Sequence, residues 1–229
     1  GVERAEALIT QGSVWRHGFD GVSTSDAIAP IRIIGFDLNG TLFRPKPLVQ
    51  GSLESLTNPY TLMIDQVDLK SLEVKGIGDT AEIGAYQAKV VGLTSGIRSI
   101  VSSPYVFTSL SNATAYITSP IAPPKVNPPA PAELWDEDRI TYVLIRAKPG
   151  EDLTRLKQRL EAEVPDTKAL TQAELVSLTQ NYWRTSTGVG FILGLGAVVG
   201  VIVGIVVVGQ ILYSSVTDHL KEFGTLKAM

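Results

Sequence analysis

Between Thr185 and Thr217 the chain carries no charged side chain, and this run limits the possible folds more than any other feature. A helix rises about 1.5 Å per residue and a bilayer core is about 30 Å thick, so roughly 20 residues suffice to cross it. Val189–Tyr213 exceeds that length with room for tilt. Lipid offers the backbone no hydrogen-bond partners whereas a helix satisfies its own, so the Val- and Gly-rich composition does not argue against helix here. Tyr182 and Trp183 stand at one end and Tyr213 at the other, where amphipathic rings favour the membrane interface. A transmembrane helix is expected over Gly188–Tyr213, within an uncharged segment 185–213. The competing reading, a buried core helix, suffers because uncharged runs this long are rare in soluble domains.

The glycines in this segment are patterned. Gly196, Gly200 and Gly204 recur every four residues on one helix face, and Gly190 and Gly194 form another such pair. Without side chains there, a neighbouring backbone can approach closely, so these five residues are expected to pack against other membrane helices. Gln210 is placed either to hydrogen-bond across such an interface or to lie among headgroups. The few Lys and Arg on both flanks do not fix the orientation.

The charges sit elsewhere. Residues 1–184 hold eighteen Lys and Arg and twenty-one Asp and Glu, and beyond the span only Asp218, Lys221, Glu222 and Lys227 are charged. No basic stripe exists, which argues against nucleic acid as a partner. The chain has no Cys, which removes disulfides, thiolate metal sites and cysteine nucleophiles together. It opens on Gly1 without a basic segment leading into an apolar one and stops at Met229 inside an amphipathic stretch, so it reads as an internal fragment.

Residues 1–184 alternate strand-like and helix-like stretches. Strands are expected at Ala7–Trp15, Ile31–Phe36, Leu62–Asp65, Ala81–Leu93 and Ile140–Ala147. Thr141–Arg146 is β-branched and apolar, Pro149-Gly150 breaks it, and Leu153, Leu156 and Leu160 then fall at helical spacing through Glu151–Glu163. With Val164–Leu170 returning as a short strand this makes a βαβ unit. Thr171-Gln-Ala-Glu174 has the form of a capping box, and the helix it opens meets no strong breaker before Thr187. Ser119–Ala132 holds six prolines in fourteen residues and is expected to be an extended, semi-rigid surface insertion. The fold class is therefore an α+β domain with a mixed sheet and a βαβ unit, one transmembrane helix, and a short amphipathic helix.

Candidate chemistry is sparse. Asp37-Leu-Asn39-Gly40-Thr41-Leu42 resembles the first motif of haloacid-dehalogenase-type phosphatases, in which the first Asp is the nucleophile and a second Asp the general acid and base. Asn39 stands in that second place and cannot exchange a proton at useful pH, and Arg44-Pro-Lys-Pro47 replaces the helix that should follow. The plainer reading is a strand ending in an Asn-Gly turn. His17 and His219 lie in different regions, so no His-based metal site forms within the chain. Asp136-Glu137-Asp138 reads as a solvated turn, and Gly76-Ile-Gly78-Asp79 lacks the lysine and helix start of a phosphate loop. The expectation is a non-catalytic protein with no cofactor and no metal.

After the span, Val216, Leu220, Phe223 and Leu226 recur at helical spacing with Asp218, Lys221 and Glu222 opposite them. Within Gln210–Met229, the pattern Thr-x-His-Leu-x-Glu-Phe-x-Thr-Leu-Lys-Ala-Met resembles the segment after the second membrane helix of FtsX-like ABC-transporter permeases. The likeness is to the DevC type, related to the MacB macrolide and lipoprotein exporters. Tyr182-Trp183 before a Gly-rich span is similar to the same family. So is the stretch of Ala81–Leu93, Thr94-Ser-Gly-Ile-Arg98 and Pro104–Ser109, which resembles its extracytoplasmic core domain.

The resemblance implies a permease subunit of an ATP-driven exporter that transmits conformational change while a separate subunit hydrolyses ATP. It implies four membrane helices in the full protein, an inner-membrane location, a periplasmic domain at 1–184, the second span at 185–213 and a cytoplasmic coupling helix at 214–229. Asp218, His219, Leu220, Lys221, Glu222, Phe223, Leu226 and Lys227 would contact the ATPase. The other implied partners are a periplasmic adaptor leading to an outer-membrane duct, a second permease copy and the lipid bilayer. The alternative, from another class, is a single-span extracytoplasmic binding or sensor module.

Overall fold

The computed structural model describes residues 1–17, 27–97, 103–134, 139–186 and 189–227. Among these residues lie eight strands: β1 (Val2–His17), β2 (Ala27–Phe36), β3 (Leu48–Gly51), β4 (Thr61–Asp65), β5 (Thr80–Ile83), β6 (Tyr86–Thr94), β7 (Tyr105–Ser109) and β8 (Tyr142–Ala147). The helices are α1 (Leu110–Thr118), α2 (Leu153–Glu163), α3 (Gln172–Ser186) and α4 (Val189–Lys227). The contacts divide the chain into two units, Gly1–Glu151 and Asp152–Met229.

In the first unit the long strand β1 organises everything. Its C-terminal part pairs antiparallel with β2, from Leu8↔Phe36 to His17↔Ala27, while Trp15 and Arg16 also pair with β5. Its N-terminal part pairs with β8. The path β2-β7-β4-β6-β5-β1 then closes on itself through the β1–β2 pairing, with β3 added beside β6. The β2–β7 and β4–β6 pairs are parallel and the rest antiparallel, so the sheet is mixed as the sequence predicts.

Period-two alternation explains the core. Along β4, Leu62 and Ile64 enter one buried cluster and Met63 the other; along β7, Val106 and Phe107 divide in the same way. Strands covered on both faces read as continuous apolar runs. Trp15 is fully buried in the larger cluster and donates its indole N–H to the Leu72 carbonyl at 3.1 Å. Helix α1 covers part of this cluster, and it approaches β2 so closely that a Cβ on Gly35 would collide with the Ala113 methyl.

Several details differ from the sequence reading. The stretch Ala81–Leu93 is not one strand but a hairpin, β5 and β6, folded at Gly84, whose φ of +61° suits glycine. Helix α1 was not expected. Its Thr, Tyr and Ile residues are mediocre helix formers, and burial of Ala113 and Tyr116 against the sheet overrides that bias.

In the second unit Asp152 caps α2, accepting from the Thr154 amide at 2.9 Å. The capping box forms as expected. The Glu174 carboxylate accepts from the Thr171 amide at 2.8 Å, and the Thr171 hydroxyl accepts from the Glu174 amide at 3.3 Å. Lys157 donates to the same carboxylate at 2.6 Å, and with the Thr171 groups it pushes the Glu174 pKa down to about 2.

The return strand at Val164–Leu170 does not form, so the βαβ unit proposed for 141–170 is incomplete. Pro165 has no N–H to give a ladder, Asp166 turns to φ +67°, and the Val164 amide closes α2 on the Leu160 carbonyl. The Ala169 amide bonds the Glu161 carboxylate at 2.9 Å, again satisfying this segment locally. The amphipathic tail is helical but not separate. Residues 214–227 continue α4 without a break. Thr187 and Gly188, where α3 was expected to run into the span, lie outside the described residues.

Candidate functional site

Helix α4 contains one segment, Gly190–Thr217, long and apolar enough to cross a membrane, with mean hydropathy 3.0. Its side chains are exposed, Phe191 at 73% and Tyr213 at 76% among them, as a lipid-facing helix requires and a soluble core helix does not. At Gly194, Gly196, Gly200 and Gly204 an added Cβ would meet nothing within 4 Å, so in this single chain the glycine face is open. Gly190 lies on the same helix. The backbone of Asp218, His219, Leu220, Lys221, Glu222, Phe223, Leu226 and Lys227 is helical. Their side chains lie outside the described residues, as do Asp136-Glu137-Asp138, Arg98 and the Trp183 side chain.

The phosphatase-like segment is a latch with no catalytic arrangement. The Gly40 amide bonds the Asp37 carbonyl at 2.9 Å, and the Asp37 carboxylate accepts from the Asn39 amide at 2.9 Å, which is the Asn-Gly turn the sequence predicts. The next two amides, of Thr41 and Leu42, donate to the buried Glu6 carboxylate at 2.7 and 2.9 Å. Arg4 pairs with the same carboxylate and donates to the Asn39 carbonyl at 2.9 Å. A Cβ at Gly40 would strike Glu6, so glycine is needed for this close approach. The Thr41 and Leu42 amides are thus taken up by a carboxylate of the chain itself.

Burial pushes the Glu6 carboxyl up, but the Thr41 and Leu42 amides and Arg4 outweigh that and hold its pKa below the ordinary 4.5. A carboxyl whose folded pKa is depressed stabilises the fold above its unfolded value and loses that contribution as pH falls through the folded one. Glu6→Gln is therefore expected to cost about 1.5–3 kcal/mol at pH 7, the range for hydrogen bonds to a charged group. Urea midpoints of the two proteins should converge on acidification below about pH 4.5. An equal gap at pH 7 and pH 3 would show that the carboxylate charge is not what holds the latch.

Two other polar groups need placing. His17 Nε2 lies 3.5 Å from Asp79. Burial raises the Asp79 pKa, but the Lys75 and Thr80 amides and His17 together carry it below its ordinary value. No group of three or more His, Asp or Glu able to hold a metal occurs among the described residues.

The proline-rich insertion is a strap fastened at successive points. Arg16 Nη2 donates to the Ala122 carbonyl at 2.7 Å while pairing with the buried Glu82 at 3.2 Å. The Lys125 amide donates to the Ala85 carbonyl at 2.9 Å, and the Tyr60 hydroxyl donates to the Pro129 carbonyl at 2.6 Å. Tyr60 stacks on Tyr86 at 4.5 Å between centroids, and Lys125 sits over the Tyr86 ring. Burial and the neighbouring Tyr86 push the Tyr60 pKa up to about 12, so its hydroxyl stays a donor. Between strap and sheet lies an open cleft of about 670 Å³. The sequence reading missed this cleft, because its walls come from residues near 58–61, 87–91 and 124–128, which no local pattern connects.

No family model matches the chain, and no curated protein matches it. Solved structures similar to it in part include the following three. A domain of a permease protein from Porphyromonas gingivalis aligns at 13% identity and TM-score 0.44, over 72% of this chain and 66% of that one. The extracellular domain of the noncanonic ABC-type transporter YknZ from Gram-positive bacteria aligns at 8% identity and TM-score 0.46, over 74% and 80%. The periplasmic region of MacB from Actinobacillus actinomycetemcomitans aligns at 13% identity and TM-score 0.42, over 71% and 67%. The chain thus spans about two thirds of the first of these.

Proposed function

We propose that the chain is the extracytoplasmic core domain and second membrane helix of an FtsX-like permease, a subunit of an ATP-driven exporter that transmits conformational change. The observation that carries this reading is the uninterrupted helix α4. Its 39 residues span roughly 58 Å at about 1.5 Å each, nearly twice a bilayer core of about 30 Å. A rod of that length crosses the membrane and delivers the charged tail beyond it as part of the same rigid element. Force applied to the tail by a nucleotide-driven partner then moves the span itself. The tail pattern at Gln210–Met229, which resembles the family, supports a separate ATPase subunit as the partner.

In this reading residues 1–184 face the periplasm, 185–213 cross the inner membrane and 214–229 reach the cytoplasm. The open glycine face of α4 receives the remaining helices of a multi-pass protein or a second copy. The domain engages an adaptor leading toward an outer-membrane duct, and ATP is hydrolysed elsewhere.

The test is made in the intact transporter. Leu220→Asp with Phe223→Asp places two carboxylates on the apolar face of the tail helix. Co-purification of the ATPase and transport should both fall at least tenfold. Wild-type levels of both would remove the tail as the contact. A full-length gene with a single span followed by a signalling domain would favour the sensor module instead.

A further inference from the structure

We propose that the cleft beneath the proline strap binds an extended peptide segment carrying an acidic side chain. The proposal stands on the cleft alone and does not require the permease reading.

The chemistry begins on β6. Gln87, Lys89 and Val91 alternate with buried Ala88 and Val90, so all three point outward from one face, where they line the cleft. The Lys89 ammonium and the Gln87 amide have no hydrogen-bond or ion-pair partner among the described residues. The chain as a whole has net charge −3, yet no acidic side chain lines the cleft. The second lysine of the lining, Lys125, donates to the Tyr86 hydroxyl at 3.3 Å, a neutral partner, so both lysines bring uncompensated positive charge to the cleft.

The opposite wall is the strap, with Pro124 and Pro128 flanking Asn127. Prolines present apolar rings and carbonyls but no N–H, so this wall can accept hydrogen bonds but donates few. Gln87 and Asn127 each supply both a donor and an acceptor, the pair a peptide backbone demands. Val91 and Pro59 add apolar surface beside them.

A phosphate ligand fits less well. Phosphate sites favour arginine forks or converging backbone amides, and the lining offers neither an arginine nor a helix start. Ammonium groups set between amides and apolar walls suit a carboxylate on an extended chain with apolar neighbours. A volume of about 670 Å³ lies within the usual 300–1,000 Å³ of ligand clefts. The walls are also pre-set, because Arg16, Lys125 and Tyr60 tie the strap in place, which lowers the ordering cost of binding.

The experiment selects random hexapeptides displayed on phage against the full chain in phosphatidylcholine nanodiscs, with the Lys89→Glu chain as counter-selection. Selected peptides should carry Asp or Glu beside Pro, Val or Leu. The best of them, synthesised, should lose at least tenfold in affinity on Lys89→Glu and on changing its own acid to the amide. Replacing that acid with Lys should restore binding to the Lys89→Glu chain. Selected peptides without an acid, or equal binding to both chains, would overturn the proposal. So would displacement of the peptide by millimolar inorganic phosphate, which would make this a general anion site.

Discussion

Asn112→Ala should lower the stability of the first unit by about 3 kcal/mol, the cost of an orphaned buried amide together with the hole left behind. Asn112 is 1% exposed in α1, and its Oδ1 accepts from the Tyr60 amide at 2.9 Å. Its Nδ2 donates toward the carbonyls of Asn58 at 3.1 Å and of Leu56 and Thr61 at 3.4 Å. Two of those carbonyls keep another donor in the mutant. Thr61 Oγ1 bonds Asn58 at 2.8 Å, and Thr108 Oγ1 bonds Thr61 at 2.6 Å. The Tyr60 amide is the group that loses its acceptor, and it sits at φ +54°, where a tyrosine backbone is strained and needs outside support. Asn112→Asp separates the two sides of the side chain. It keeps the acceptor for Tyr60 but turns a carboxylate oxygen toward carbonyls, and should destabilise at least as much at pH 7. Urea unfolding followed by tryptophan fluorescence reads both variants. A loss below about 0.5 kcal/mol for Asn112→Ala, the range of ordinary surface changes, would show that the turn before β4 holds itself.

That hub also shows what a sequence conceals. Asn112 stands in Leu110-Ser-Asn-Ala-Thr, a stretch with neither strong periodicity nor strong propensity. Its importance comes from partners more than fifty positions away. The same holds for the strap cleft, and for β1, whose pairing with three strands follows from closure of the sheet. Features written in short-range pattern were legible: the uncharged span, the Thr171–Glu174 capping box, and the turn at Asn39-Gly40. Length and hydrogen-bond chemistry fix each of these within a few residues. Errors came where one local signal had two outcomes. An apolar run could be one strand or a hairpin, and only Gly84 beside Ser119 decides it. Val164–Leu170 has strand-forming ends, yet Pro165 and Asp166 spend its backbone on turns.

Ser215→Pro in the intact transporter should abolish transport while leaving the ATPase bound, if α4 works as a rod. Ser215 lies two residues past Tyr213, in the last turn of the apolar segment before the charged tail, and the helix passes through it unbroken. A proline there removes one N–H from the ladder, clashes with the carbonyl four residues earlier, and costs about 3 kcal/mol in a helix interior. The tail pattern from Asp218 to Lys227 is untouched, so its surface remains available to the ATPase. Displacement of the tail would then be absorbed by bending at the kink and would not reach the span. Transport should fall at least tenfold with ATPase co-purification within twofold of wild type, and Ser215→Ala should behave as wild type in both. Loss of the ATPase together with transport would mean that the proline unfolds the tail. Wild-type transport by the proline variant would mean that the tail only docks, and that motion reaches the periplasmic side through other helices.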